Sequence, residues 1–363
     1  MRKKTMKEQT YQYTLLGIAV AVMAFMDWGF INDPFRDGKV RYALLGAAGV
    51  AAWKLREAHP YAALFAFYGA FRWLLADMGS WGVLEVVMPF LMLFLASEFE
   101  KNFTVDGFAR VVAYLALFQA VYGLLQVAGI EPWHDLAPRL PGQPEFRGTT
   151  IGTLGHWTMF SPFVGLGFCY FVHTRKFVFA GICLAAIAVS DSAMGVISTG
   201  AGLAYMAFRV RPKLSLAGTF AALAGLGVWY YLEPRGGWLD PNGRLFIWEH
   251  AIRVWLQAPV LGHGPGSWMG LYPLWQIPGD LVWAQTHSDF VQVLPEYGAL
   301  GLLLVAMALI YTALKLHKAP AFIGAWFFLL CTNASANFIF HVAAFGIPAA
   351  WLLVVTHRES GYN

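Results

Sequence analysis

Charged residues are scarce in this sequence. Only 13% of its 363 residues are Asp, Glu, Lys or Arg, whereas soluble domains carry about 25%. Hydrophobic residues make up 58% of the chain, and the mean hydropathy is +0.54. This composition excludes an ordinary soluble domain and predicts an integral membrane protein, built from apolar spans of about 20 residues.

Cysteine and clustered positive charge are also nearly missing. Cys169, Cys183 and Cys331 lie inside apolar runs and form no C-x-x-C pair, so neither a disulfide framework nor a zinc site is predicted. No dense run of Lys and Arg is present, so nucleic acid is not an expected partner. No linker, repeat or low-complexity tract interrupts the chain, and residues 1–363 are predicted to form a single membrane domain.

The apolar runs predict an all-α, polytopic bundle of about twelve transmembrane helices. Lys and Arg concentrate in the loops on the N-terminal side, so both termini are predicted to be cytoplasmic. The predicted spans are 11–31, 40–55, 60–78, 82–97, 109–129, 151–173, 177–190, 192–208, 214–232, 296–314, 320–337 and 339–356.

Two segments on the opposite side are long enough to carry function. They are residues 129–150 and the much longer loop 233–295, which is rich in tryptophan. Trp favours the membrane–water interface, so the long loop is expected to lie on the bilayer surface. Long ordered loops usually carry function, and this one is the candidate active-site segment.

An amphipathic helix is predicted near the start of the long loop. Apolar residues recur at helical spacing from Arg244 to Leu256, and Pro259 ends the pattern. Arg244 falls in the first turn, beside backbone N–H groups, where an arginine favours phosphate binding. The alternative is an interfacial arginine that extends its charge towards water.

Alternating glycines follow in the stretch LGHGPGSW. Gly262, Gly264 and Gly266 permit a close approach of the backbone to a ligand or to another segment. A phosphate-binding loop and a simple tight turn both fit this pattern.

The stretch THSDFVQVLPEYGALG comes directly before a predicted span. Thr286 is predicted to cap a short helix, with Asp289 in the capping-box position, and His287 is expected on the apolar face of that helix. Pro295 is expected to end or kink the helix, and Gly298 to begin a small-residue packing face. From the residues alone, His287 is equally a general base and a packing histidine.

Several polar residues fall within or near the apolar runs. They are Asp27, Arg72, Asp77, Glu85 and Asp191. Intramembrane charges usually face one another or a water-filled cavity. The first four could therefore line a polar cavity or form a structural ion-pair cluster. A second polar set recurs every four residues and consists of Asn333, Asn337 and His341. If residues 333–341 form one continuous helix, these side chains lie in one stripe and are predicted to make interhelical hydrogen bonds.

Taken together, the long-loop motifs resemble the O-antigen ligase and O-antigen polymerase superfamily of bacterial membrane glycosyltransferases. The resemblance rests on the pattern G-R-x-x-x-W…P-x-x-G-x-G-x-G…H-S-x(9)-G-x-x-G. Its residues here are Gly243, Arg244, Trp248, Pro259, Gly262, Gly264, Gly266, His287, Ser288, Gly298 and Gly301. A weaker similarity covers residues 147–167, where His156, Trp157 and Thr158 replace the family's N-P-N character.

The sequence also departs clearly from this superfamily in the middle of the chain. Its members commonly carry a Ser-Arg-Gly element whose arginine binds the lipid-linked substrate. The corresponding stretch here is SDSAMG, with Ala193 in place of that arginine. Arg147 is the candidate replacement for this second anion contact.

The resemblance implies glycosyl transfer at the periplasmic face of the bacterial inner membrane. The donor would be a glycan on undecaprenyl diphosphate, and the reaction would invert the anomeric carbon without a metal or other cofactor. Arg244 would hold the diphosphate, His287 would act as the base, and Ser288, Trp248, Gly264, Gly266 and Gly298 would support the site.

Three functions remain open at this point. The first is a polymerase that joins one lipid-linked repeat unit to an acceptor glycan, and a chain-length regulator is a candidate partner that the sequence does not identify. The second is a ligase that transfers the glycan to lipid A-core or to protein. The third is a transporter or flippase for a lipid-linked sugar, although the sequence has none of the paired repeats common in transporters.

Overall fold

The computed structural model describes residues 38–76, 83–130, 150–154, 156–190, 192–212, 244–271 and 285–359. Several sequence predictions fall outside these ranges: the spans 11–31 and 214–232, most of the segment 129–150, and the residues Asp27, Asp77, Arg147, Asp191 and Gly243.

The described residues contain helices and no strands, which confirms the predicted all-α class. The α-helices are α1 (Gly38–Leu55), α2 (Pro60–Leu75), α3 (Val83–Asn102), α4 (Val105–Val127), α5 (Trp157–His173), α6 (Phe177–Ala188), α7 (Ala193–Val210), α8 (Arg244–Trp255), α9 (Ser267–Leu271), α10 (Asp289–Lys315), α11 (Ala321–Ala334) and α12 (Ala343–Glu359). Short 3-10 helices cover Gly152–Leu154, Leu316–Lys318 and Ile339–His341.

Three of the described helices are long and apolar enough to cross a membrane. They are Val105–Val127, Ala193–Val210 and the stretch Asp289–Lys318. Two shorter helices, Phe177–Ala188 and Ala321–Ala334, are also apolar. The membrane character of the chain is therefore supported, while the number of twelve spans stays a prediction.

Side-chain caps set where several helices begin. His59 accepts a hydrogen bond from the Ala62 N–H at the start of α2, and Thr104 does the same for the Gly107 N–H at the start of α4. Ser192 caps α7. Each cap satisfies a backbone donor that has no partner within its own helix.

The limits of several predicted spans differ from those of the helices by a few residues. The span predicted from residue 151 begins at Trp157, because a 3-10 turn at Gly152–Leu154 precedes the helix. The span predicted to end at residue 337 ends at Ala334. His341 lies in a separate 3-10 helix, so the predicted continuous polar stripe does not form.

The chain divides into two compact units. The first contains the described residues within Met1–Glu98, Phe246–Thr286 and Phe290–Tyr311. The second contains those within Phe99–Leu245, His287–Asp289 and Thr312–Asn363. A single membrane domain over residues 1–363 stays a prediction.

Small residues permit close helix packing in the second unit. A Cβ atom at Gly202 would lie 2.9 Å from the Ala325 carbonyl oxygen, so α7 and α11 meet backbone to backbone there. The Trp326 indole N–H donates to the Leu166 carbonyl across 2.8 Å and ties α11 to α5. These contacts fix the α5, α7 and α11 helices that surround the candidate site.

In the first unit, α10 is kinked at Gly298, where it contacts the glycine loop, the turn that contains Gly262, Gly264 and Gly266. Gly298 has φ 67° and ψ −169°, and a Cβ atom there would lie 2.4 Å from the Val260 carbonyl oxygen. The amides of His263 and Gly264 donate to the carbonyls of Pro295 and Glu296 across 2.8 Å. The expected kink near Pro295 is confirmed, but Gly298 packs against a loop and not against another helix.

Arg72 fastens the same loop from α2. Its Nε and Nη2 atoms donate to the carbonyl oxygens of Leu261 and Gly262 across 2.8 and 2.6 Å. The Tyr68 hydroxyl adds bonds to the carbonyls of Leu261 and Tyr297. Arg72 is therefore a structural anchor for loop backbone, which weakens the transporter interpretation built on the intramembrane charges.

Candidate functional site

The predicted amphipathic helix is present as α8, and Arg244 is its first residue. On one face of this helix, Ile247, Ala251 and Val254 are buried against Trp268. Leu245 is 53% exposed, and Ile252 and Leu256 are exposed as well. An amphipathic helix in a bilayer interface has this arrangement, with one apolar face on protein and another on lipid.

Trp248 supports the segment that precedes His287. Its indole N–H donates to the carbonyl oxygen of Thr286 across 2.9 Å. The Thr286 N–H in turn donates to the Gln292 side chain across 3.3 Å, and Gln292 donates to Glu296. Trp248 therefore positions backbone, in agreement with the supporting role expected for it.

The glycines of the long loop also act through backbone geometry. Gly262, Gly264 and Gly266 have φ angles of 68°, 111° and 73°, which side chains other than glycine rarely adopt. The Gly262 N–H donates to Ala258 and the Gly264 N–H to Glu296. The tight-turn interpretation fits these bonds better than the phosphate-loop interpretation.

His287 does not lie on a helix, so the predicted placement on a helical apolar face is wrong. The helix begins at Asp289, and His287 has a left-handed backbone with φ 55°. Only His287 and Arg175 among the described non-glycine residues have a positive φ. Such conformations cost free energy and concentrate at functional sites, where neighbouring contacts hold them in place.

The segment that contains His287 is held by contacts with the break between α11 and α12, residues 335–342. The Asp289 N–H donates to the Asn337 carbonyl across 3.1 Å, and the Phe340 N–H donates to Asp289 Oδ2 across 3.1 Å. The Ser288 hydroxyl donates to the Ala334 carbonyl at the end of α11. The predicted capping pair of Thr286 and Asp289 is therefore replaced by a long-range pairing.

Arg244 reaches the same break. Its Nη2 atom donates to Asn337 Oδ1 across 3.5 Å, the long end of the hydrogen-bond range. Asn337 thus contacts both Arg244 and the backbone of the His287–Asp289 segment. The structure brings together the two residues that the sequence singled out for catalysis, and both lie in the second unit.

The electrostatic field around His287 favours a neutral imidazole. Burial is the largest cause, followed by the positive charge of Arg244 and then by His156; together they lower the pKa of His287 to about 4. The ring also packs edge-on against Phe338, with the centroids 5.3 Å apart. A neutral imidazole near a fixed guanidinium is able to accept a proton at pH 7.

His156 is a site residue whose role the sequence did not indicate. It caps α5, and its Nδ1 atom accepts from the Thr158 N–H across 3.2 Å. Since Nδ1 is an acceptor, the proton of the neutral ring is on Nε2. His156 keeps an exposed surface, and desolvation of the covered part of the ring, followed by the charge of Arg244, lowers its pKa.

The signal for His156 was present in the sequence as the histidine of the GHWT stretch. Its proximity to Arg244 and His287 depends on contacts across more than 80 residues, which spacing does not show. The described residues contain no group of three or more His, Cys, Asp or Glu side chains that could hold a metal ion. Metal independence of the reaction stays a prediction.

Residues 158–306 match a family model described as O-antigen ligase. This part of the chain is similar to the O-antigen ligase family. The resemblance inferred from the long-loop motifs is thereby confirmed. No curated protein matches the chain.

The O-antigen ligase region contains Arg244, Trp248, the glycine loop, His287 and Gly298. His156 and Asn337 lie outside it. Ala193, which stands where the superfamily commonly has arginine, is the first residue of α7. The family supports a membrane glycosyltransferase of the O-antigen ligase type, and the roles of individual residues are proposals.

Proposed function

We propose that this protein transfers a glycan from undecaprenyl diphosphate to an acceptor hydroxyl at the periplasmic face of the bacterial inner membrane. The observation that carries the proposal is the shared site of Arg244 and His287, bridged by Asn337, within a region of the O-antigen ligase family. The lipid bilayer keeps the polyprenyl tail, while the sugar and acceptor stay in water.

In the proposed reaction, the acceptor oxygen attacks the anomeric carbon of the donor sugar. The bond from that carbon to the diphosphate oxygen breaks, and the electron pair leaves on undecaprenyl diphosphate. The proton of the acceptor hydroxyl passes to His287. A single in-line displacement of this kind inverts the anomeric configuration.

Arg244 would stabilise the diphosphate as its negative charge grows. This anion would also change His287, because a negative charge beside the imidazole favours its protonated form. His287 is held neutral in the free protein by burial and by Arg244. Donor binding would therefore raise the pKa of His287 and make it a stronger base when substrate is present.

His156 would supply the second contact to the diphosphate. Its Nδ1 atom is occupied by Thr158, so its Nε2–H is the donor that faces away from the cap. This contact would take the place of the arginine that Ala193 replaces. Arg147, the replacement predicted from sequence, lies outside the described residues and stays a prediction.

We favour a polymerase, in which the acceptor is a second lipid-linked repeat unit and a chain-length regulator is a possible partner. This choice follows from the resemblance, since these families are diverse and often lack parts of the ligase pattern. Ala193 departs from an element common to the whole superfamily and does not separate the two functions. A ligase that uses lipid A-core or protein as acceptor is the second candidate, favoured by the description of the matching family.

Acceptor specificity distinguishes the two. Purified protein in nanodiscs would be given synthetic undecaprenyl-diphosphate oligosaccharide as its only substrate, and products would be separated on gels and weighed by mass spectrometry. A ladder supports the polymerase. Product only after addition of lipid A-core supports the ligase. Movement of the intact lipid-linked donor across the bilayer, with no product under either condition, would support a transporter.

A further inference from the structure

A chain of buried polar side chains ends at Arg244. Asn337 and Asn333 are 1% and 0% exposed. The Asn337 Nδ2 atom donates to Asn333 Oδ1 across 3.0 Å, and the Asn333 Nδ2 atom donates to the Ser198 hydroxyl across 3.4 Å. The Ser198 hydroxyl donates to the Gly195 carbonyl.

This order of donors fixes how the Asn337 amide is oriented. Its Nδ2 group donates to Asn333, so its oxygen is the atom that accepts from Arg244. The last hydrogen bond of this chain is accepted by the Gly195 carbonyl of α7, a backbone group that cannot rotate as a side chain does. A buried, satisfied polar network is rigid and specifies one arrangement.

The backbone of Asn337 serves a second segment at the same time. Its carbonyl accepts the Asp289 N–H across 3.1 Å, two residues after His287. Asn337 therefore contacts the Arg244 guanidinium through its side chain and the His287–Asp289 segment through its main chain.

We infer that Asn337 is a positioning residue that sets the relative placement of Arg244 and His287 while leaving the charge of Arg244 intact. The inference rests on the proposed function. An amide is suited to this task because it orients a guanidinium without neutralising it. An aspartate of the same shape would form a charge-assisted, bidentate pair with Arg244 and compete with the diphosphate.

The test is Asn337→Asp, assayed with synthetic undecaprenyl-diphosphate oligosaccharide. The donor KM is expected to rise roughly tenfold or more, the size of effect that charge-assisted hydrogen bonds carry, while kcat changes less. Asn333→Asp is the matched comparison. It makes the same change at an equally buried site one hydrogen bond further from Arg244, so the donor KM should rise less.

The failure of this inference is distinct from the failure of the proposed function. Wild-type protein that makes no product overturns the proposed function. Active wild-type protein with equal donor KM values for Asn337→Asp and Asn333→Asp overturns the positioning role, as does a loss confined to melting temperature.

A second measurement applies if Asn337→Asp does not fold. Asn337→Ser would be compared in two backgrounds, the natural Arg244 and Arg244→Gln, by the binding of undecaprenyl diphosphate. Ser is neutral but too short to reach the guanidinium. Binding should weaken severalfold only where Arg244 is present. Equal weakening in both backgrounds would overturn the inference.

Discussion

The Phe340 amide donates a 3.1 Å hydrogen bond to Asp289 Oδ2, and this bond joins the segment carrying His287 to the break between α11 and α12. The break leaves helix-end carbonyls and amides that need partners. The 287–289 segment satisfies several of them and is itself held in an unusual conformation. The same hydrogen bonds therefore end the helices and shape the candidate site.

Replacement of His287 should separate activity from stability. Both His287→Ala and His287→Gly remove the base and should reduce transfer by about 10²–10⁴-fold. Only glycine relieves the left-handed backbone at φ 55°, where other residues carry strain of about 1–3 kcal/mol. The glycine variant should melt at a higher temperature than the alanine variant; the reverse order would contradict the left-handed assignment.

The protonation of His287 should be visible without any substrate. Burial, Arg244 and His156 all disfavour the imidazolium, so the ring should react with diethyl pyrocarbonate down to a midpoint near pH 4. Arg244→Gln removes a repelling positive charge and should move the midpoint to higher pH. Peptide mass spectrometry measures the modification. A wild-type midpoint near 6.5, the ordinary value for histidine, would contradict the described surroundings.

The lowered pKa of His287 also predicts how the stability of the fold depends on pH. The unfolded chain binds a proton at His287 near pH 6.5, whereas the folded chain resists it until about pH 4. His287 therefore has no effect on folding above pH 6.5 and destabilises the fold as the pH falls through this window. Removing the imidazole with His287→Gly should make the melting temperature less sensitive to pH between 6.5 and 4.

The proposed hydrogen bond from His156 to the diphosphate can be removed without disturbing the fold. His156→Asn keeps a good N-cap for α5 but loses the Nε2–H group, so the melting temperature should hold while the donor KM rises. His317→Ala, at an exposed histidine of the 3-10 helix after α10, is the control. An unchanged donor KM in His156→Asn would remove His156 from the site.

The kink of α10 should tolerate no side chain at Gly298. An alanine Cβ would lie 2.4 Å from the Val260 oxygen and 2.5 Å from the Gly262 nitrogen, at a left-handed φ of 67°. Gly298→Ala should lower the melting temperature clearly. Gly181→Ala, on α6 with nothing within 4 Å of the added atom, should not. Equal melting temperatures for the two variants would contradict the packing of the glycine loop.

Local sequence patterns predicted the helices well. The start of α8 at Arg244 and its end before Pro259 followed from helical spacing and a proline. A kink near Pro295 was predicted from the proline, and the structure places the non-helical residue at Gly298. Each depends on residues within a few positions of one another, which is the range over which propensity and periodicity act.

The arrangement of the site did not follow from such patterns. The left-handed backbone of His287 depends on Asp289 pairing with Asn337 and Phe340, about 50 residues later. A helical pattern placed His287 on a helix and Asn337 on another because periodicity carries no information about such pairings. The motif residues were identified by resemblance, but their contacts required three-dimensional structure.

The roles proposed for Arg244 and His287 are tested most directly by glycan transfer in nanodiscs, with wild-type protein, Arg244→Gln and His287→Gly. Undecaprenyl-diphosphate oligosaccharide and each acceptor would be supplied. We expect product from the wild type, a large loss of transfer in both variants, and melting temperatures close to that of the wild type. Undiminished transfer by either folded variant would contradict the assignment of the reaction to this site.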